Sequence, residues 1–154
     1  MYRLRHWSVR NSSLLERFYN RFEKLVVVLH PLWHFIGYER LDKPVAATEK
    51  LVKGLLFDCQ MCGQCALSAT GMSCPMNCPK TLRNGPCGGV RSDGNCEVKP
   101  DMKCVWVAAW EGSQQMQQAE AIHVVQFPVD HQRKGKSSWL RVARENNESS
   151  AATH

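Results

Sequence analysis

Residues 59–65 read Cys59-Gln60-Met61-Cys62-Gly63-Gln64-Cys65, and residues 78–89 read Cys78-Pro79-Lys80-Thr81-Leu82-Arg83-Asn84-Gly85-Pro86-Cys87-Gly88-Gly89. Together with Cys74, Cys96 and Cys104, these stretches hold all eight cysteines of a 154-residue chain. A cysteine used only for packing behaves as a small apolar residue and scatters through a core. Confinement to one third of the chain points instead to sulfur chemistry. Between the cysteines, Gly63, Gly71, Pro75, Asn77, Asn84, Gly88 and Gly94 break helical and strand periodicity. The expected fold is a small, irregular, α-rich, metal-stabilised domain. Amphipathic helices precede a Cys-rich loop core that holds the metal centres, and an extended C-terminal tail follows it.

Three chemistries compete for the eight sulfurs. A Cys-x2-Cys-x2-Cys run followed by Cys-Pro steps (Cys74-Pro75 and Cys78-Pro79) is a recurring iron–sulfur spacing, and eight thiolates suit two [4Fe–4S] clusters. Zinc prefers paired Cys-x2-Cys knuckles. The first run supplies one such pair, but after Cys74 the gaps are three, eight, eight and seven residues. One cluster with one zinc satisfies the same count. Disulfides need an oxidising compartment, which nothing in the sequence supports. No apolar h-region follows the basic start Met1-Tyr2-Arg3-Leu4-Arg5, and the most apolar stretch, 25–35, is too short for the ~20 residues that span a bilayer. A cytoplasmic location without membrane insertion is expected.

Working outward, residues 1–57 are expected to form an N-terminal helical docking region. Ser13-x-x-Glu16 has the form of a capping box, and Leu14, Phe18, Phe22, Leu25, Val26 and Leu29 recur at helical spacing after it. Pro31 should end or bend this helix. A second helix is expected from Asp42 and Pro44 to Leu55 and Leu56. Residues 58–112 form the Cys-rich metal-binding domain, with a short helix from Met102 to Trp110 whose tryptophans, Trp106 and Trp110, shield the metal region. Residues 113–154 are a linker and docking tail. In it, His123 to Val129 pairs as a strand or lies extended on a partner, 135–140 docks, and the end from Glu145 is disordered.

The formal charge of +6 and the pI of about 9.0 favour acidic partners. Nucleic acid is disfavoured, because no base-reading motif accompanies Arg3, Arg5, Arg10, Arg17, Arg21 and Lys24. His30 and His34 lack the acidic residue of an H-E-x-x-H zinc motif and read as core or interface histidines. Gly85-Pro86-Cys87-Gly88-Gly89 lacks the lysine of a phosphate-binding loop. No catalytic triad, carboxylate pair or nucleotide loop stands out, so the chain reads as a non-catalytic conduit or scaffold for a partner.

The run from Cys78 to Gly89, followed by Gly94-Asn95-Cys96-Glu97-Val98 and Cys104-Val105-Trp106, resembles the methylenetetrahydrofolate reductase C-terminal-domain (MetV-type) family. The resemblance spans roughly residues 10–112 and includes the Cys59–Cys65 run. It implies a small stand-alone subunit of a flavin-containing methylenetetrahydrofolate reductase, which interconverts 5,10-methylene- and 5-methyltetrahydrofolate. It further implies that this chain carries metal centres and supports electron delivery from a donor protein to the partner's flavin. The ligands carried over are Cys59, Cys62, Cys65, Cys74, Cys78, Cys87, Cys96 and Cys104. Cys59, Cys62 and Cys65 are expected to share one centre that a later cysteine completes. Iron and zinc both remain open, because thiolates accept either. The alternative role is a zinc-stabilised interaction module that organises the reductase or couples it to a methyltransferase. The helix over Leu14–Leu29 and the tail over Val124–Leu140 are the expected docking surfaces.

Overall fold

The computed structural model describes residues 2–85 and 87–151, so Met1, Pro86 of the Cys78–Gly89 run and tail residues 152–154 lie outside the described residues. Among these residues there are six α-helices and no strands: α1 Tyr2–Arg10, α2 Ser12–Val28, α3 His30–Ile36, α4 Tyr38–Phe57, α5 Val105–Ser113 and α6 Ser138–Ala151. Between α4 and α5 the chain runs through two short 3₁₀ turns, Leu67–Ala69 and Pro75–Asn77. Two isolated antiparallel bridges follow, Val90 with Cys96 and Asn95 with Lys103. The cysteines therefore sit in loop and turn, as their glycine- and proline-rich surroundings require.

The capping box does not form. Asn11 occupies the cap position of α2 without a side-chain cap bond. Glu16 is instead buried, and its carboxylate accepts the backbone N–H groups of Gln117 (2.7 Å) and Gln118 (3.2 Å), about a hundred residues away. That carboxylate satisfies two turn donors after α5, so a residue expected to start a helix pins the chain's return instead. α2 does stop at Pro31's approach, with Leu29 as its C-cap and Pro31 in the first turn of α3. There its missing N–H costs nothing.

α4 begins earlier than expected, at Tyr38, after Gly37 takes a φ of 94°. Pro44 lies inside this helix, and Asp42 is no cap: its Oδ1 accepts Ser137 N–H at 3.0 Å. The helix ends at Asp58 in the left-handed region, φ 55°, with Asp58 N–H bonded to Gly54 C=O. α5 starts at Val105, three residues later than expected, because Met102, Lys103 and Cys104 are already paired. Met102 C=O accepts from Cys96 N–H (2.9 Å), and Cys104 N–H donates to Gly94 C=O (3.0 Å).

The core lies where α2 and α4 meet the first cysteine loop and the turn after α5. Phe57, Leu67, Met72, Cys74 and Met116 form one cluster, with Leu15, Tyr19 and Cys65 packed against it. α5 approaches the turn at Gly71 backbone to backbone. A Cβ on Gly112 would strike the Gly71 carbonyl, and one on Gly71 would strike Ala109 C=O. Ser12 Oγ donates to Gly112 C=O at 2.8 Å, which ties α2 to the same point.

The C-terminal tail is a correction to the sequence reading. Among the described residues it is not extended from Ser138 onward. It folds back as α6, and Trp139 meets Phe22 of α2 edge-to-face at 4.8 Å between centroids. Leu140 and Ala143 are buried beneath it. Ser137, Ser138 and Leu140 are buried within this chain. Residues 124–130 form no strand, and the backbone is extended at both ends of the segment, Val124 and Asp130. The Asn84 amide donates to Gln126 C=O and accepts from Gln126 N–H, and Arg83 Nε donates to Phe127 C=O at 2.7 Å.

Candidate metal centre

Cys59 to Cys65 leave α4 through a loop whose backbone turns at Met61 (φ 48°) and Gly63 (φ 72°). Gly63 is required twice: by its φ, and because a Cβ there would collide with the Arg133 backbone. Gly135 N–H donates to Met61 C=O (2.8 Å), Asp130 N–H to Gln64 Oε1 (2.8 Å), and Arg83 Nη2 to Gln64 C=O (2.7 Å). Two segments, one at Arg83 and one over 130–135, thus grip one seven-residue loop and set its course.

The result is convergence. Cys59, Cys62, Cys65 and Cys74 line one partly open cavity, with Glu49, Lys53, Arg83 and Ser138 also in its wall. Cys74 is the one later cysteine in that lining. The Cys74 thiol hydrogen-bonds to the Cys59 sulfur, which also accepts Met61 N–H at 3.4 Å. That thiol bond, burial working against it, the Met61 N–H and the Lys53 charge together lower the Cys59 pKa from 9.0 to about 7. Cys74, as the donor and buried, is pushed well above the ordinary thiol range. Arg83 Nη1 lies 3.9 Å from Cys62 Sγ.

The other four cysteines are not gathered in the same way. Cys78, Cys96 and Cys104 are buried and Cys87 is half-buried. Cys96 packs with Met102 and Val105, and Cys104 packs with Trp106 and Ala109. Lys80, ion-paired with Glu97, feels both Cys87 and Cys96 electrostatically. Trp106 is buried and its ring fills the space beside Gly85, whereas Trp110 is half exposed and meets His123 at 5.9 Å. Only Trp106 covers the cysteine loop. All eight cysteines carry free thiols, and among the described residues no group of three or more Cys, His, Asp or Glu side chains stands ready-made for a metal ion. The first four nonetheless fit a thiolate-bound group in kind: soft sulfur donors, backbone N–H groups beside them, and cations in the wall. His30 takes no part. Its Nδ1 lies 2.5 Å from Tyr38 Oη, a contact within the helical region.

Lys53, Glu49, Arg83 and Ser138 were not singled out from sequence. A signal was present for two of them: Glu49 and Lys53 stand four apart on the helix that runs straight into the first cysteine.

Fold and site together define a small, helix-rich, cysteine-rich protein in which one irregular segment concentrates the reactive side chains. The chain belongs to the family described as methylene-tetrahydrofolate reductase C terminal, whose profile matches residues 38–132. That span begins where α4 begins and closes before α6, so it lies further toward the C-terminus than the 10–112 read from sequence. No curated protein and no solved structure matches the chain. No helix among the described residues is long and apolar enough to cross a membrane.

Proposed function

We propose that this chain is a non-catalytic, cytoplasmic, iron–sulfur electron-transfer subunit. It serves a flavin-containing methylenetetrahydrofolate reductase that interconverts 5,10-methylene- and 5-methyltetrahydrofolate. The observation that carries the reading is the meeting of Cys59, Cys62, Cys65 and Cys74 at one cavity, in a chain of the reductase C-terminal family. Four thiolates are the ligand set of one [4Fe–4S] cluster. Cys78, Cys87, Cys96 and Cys104 are assigned to a second. When bound, such clusters supply reversible one-electron reduction at a potential that the surrounding protein sets.

The protein's own part is to hold and to shield. The Arg83, Asp130 and Gly135 contacts fix the loop that carries three of the ligands. Trp106 and the α5 backbone close off solvent near the second set. Flavin and folate belong to the partner, and an electron-donor protein completes the chain of transfer. Solvent-exposed Leu14, Phe18, Leu25 and Val28 on α2, with Val124, Val125 and Phe127 on the 124–130 segment, offer apolar surface to that partner.

Anaerobic co-purification with the reductase, followed by iron, sulfide and zinc analysis, tests the reading. A brown complex with about eight iron atoms per chain, four for each cubane cluster, is expected. Zinc alone, with partner flavin reduced equally well by wild type and Cys62→Ser, would replace it with the zinc-stabilised organising module.

A further inference from the structure

The cavity wall carries two charged side chains that ligand binding leaves unexplained. The side chains of Lys53 and Glu49 are 3% and 2% exposed, and Lys53 Nζ donates to Glu49 Oε1 at 2.8 Å. Lys53 also donates to Ser138 Oγ at 2.9 Å and lies 5.1 Å from the centre of the Trp139 ring. The Glu49 carboxylate accepts from Ser137 Oγ (2.7 Å), Ser138 Oγ and Trp139 N–H (3.4 Å). Glu49 is therefore held on several sides, and Lys53 is clamped between it and the first turn of α6.

An ion pair buried this deeply costs desolvation that apolar packing would avoid. Negative charge in the cavity gives the cation a further partner. Burial acts against the charged lysine, yet Cys65 first and Glu49 second hold its pKa above the ordinary range. Besides Lys53, Glu49 is answered by the Ser137 and Ser138 hydroxyls and the Trp139 N–H. Among the described residues Lys53 has only Glu49 and Ser138 Oγ as hydrogen-bond partners, so the cation is the less compensated end of the pair in the wall beside the sulfurs.

We propose that Lys53 is the charge-compensating positioning residue of the thiolate-bound centre in this cavity, clamped there by Glu49 and by Ser138 of the C-terminal helix. The inference rests on the reading that Cys59, Cys62, Cys65 and Cys74 bind a metal centre. A thiolate-ligated centre is anionic and becomes more so on reduction, so a fixed buried cation favours the reduced form. The Ser138 clamp comes from beyond the matched span, which ends at residue 132.

The test uses the anaerobic complex carrying Lys53→Met, Glu49→Gln or Lys53→Arg, titrated redox-wise with EPR detection. At the poise where half of the wild-type centre is reduced, Lys53→Met should lower its reduced-to-oxidised ratio about tenfold, equivalent to ~59 mV. Glu49→Gln should move the ratio the opposite way, Lys53→Arg should stay within about twofold of wild type, and the second centre should not move. Shifts of the same sign in Lys53→Met and Glu49→Gln, or none, overturn the assignment. If Lys53→Met does not fold, the Glu49→Gln sign and the Lys53→Arg rescue still decide. If wild type holds only zinc, the electron-transfer reading fails but the inference is still tested. Lys53→Met should then release zinc to a chelator about tenfold faster and Glu49→Gln more slowly, and equal rates overturn it. A wild type that retains no metal sinks both.

Discussion

At the scale of single residues, the metal-free site behaves as a coupled thiol pair. Cys59 and Cys74 share a hydrogen bond, so their protons leave in two steps that belong to the pair. The first step falls near pH 7, below the unfolded thiol value of 9.0, and the second lies well above it. Between pH 7 and 9 the unfolded chain holds more protons than the native pair, so native stability rises with pH. Above 9 the unfolded chain has released both while native Cys74 keeps its own, and stability falls again. The pair's contribution should therefore peak near pH 9. Urea midpoints of metal-free wild type, compared with Cys59→Ser/Cys74→Ser across pH 6 to 10.5, check this: the difference between the two should pass through a maximum. The same inequality makes Cys59 the better nucleophile. Iodoacetamide at pH 7 should modify Cys59 well before Cys74, as read by peptide mass spectrometry.

At the scale of elements, helix propensity and packing make opposite forecasts at Gly112. Inside α5 an alanine is intrinsically better than glycine by about 1 kcal/mol. A Cβ at that position, however, meets the Gly71 carbonyl. Gly112→Ala should lower stability by about 1–3 kcal/mol in thermal or urea unfolding, the range for forced overpacking. A stabilised variant would mean that α5 and the Gly71 turn do not touch. Such a backbone approach leaves no periodicity to read. The glycines and prolines around the cysteines correctly placed residues 59–65 in loop, and the apolar spacing correctly located α2. The buried face of α2, however, carries Ser12 and Glu16, while Leu14, Phe18 and Leu25 face out. α4 likewise buries Glu49 and Lys53 and exposes Leu51 and Leu55. Amphipathic reasoning sends carboxylates outward, and only partners far along the chain, the Gln117 and Gln118 amides and Ser137 and Ser138, draw these inward. α1 escaped notice because Arg3, Arg5, His6 and Arg10 leave little apolar pattern over nine residues. α6 escaped because Glu145-Asn146-Asn147-Glu148 reads as a solvated tail, whereas Trp139, Leu140 and Ala143 anchor its first turns.

At the scale of the whole molecule, turning polar residues inward leaves apolar ones outside, and that inversion argues for a docking face. Phe18 is 69% exposed and Val28 71%, on a helix whose exposed neighbours include Arg17, Arg21 and Lys24. An apolar stripe with a basic rim suits a partner surface that is apolar at its centre and acidic around it. Phe127, 82% exposed, forms a second apolar point, and Arg83 ties its backbone to the loop bearing Cys62 and Gln64. The two surfaces make different demands. A reductase bound at Phe127 meets the chain beside the cysteine cavity, within the span that defines the family. One bound at α2 uses a helix outside that span. Phe18→Asp, at a position that packs on nothing in the core, should leave circular dichroism and melting temperature nearly unchanged. It should weaken association with the reductase by more than tenfold if α2 is the main anchor, as expected for an aromatic hot spot. Higher salt should slow association of the wild type more than it speeds dissociation, because the basic rim acts on encounter. If Phe18→Asp binds as wild type while Phe127→Asp does not, the partner sits on the 124–130 segment. The cysteine cavity then opens at the interface itself, and the α2 stripe belongs to some other contact.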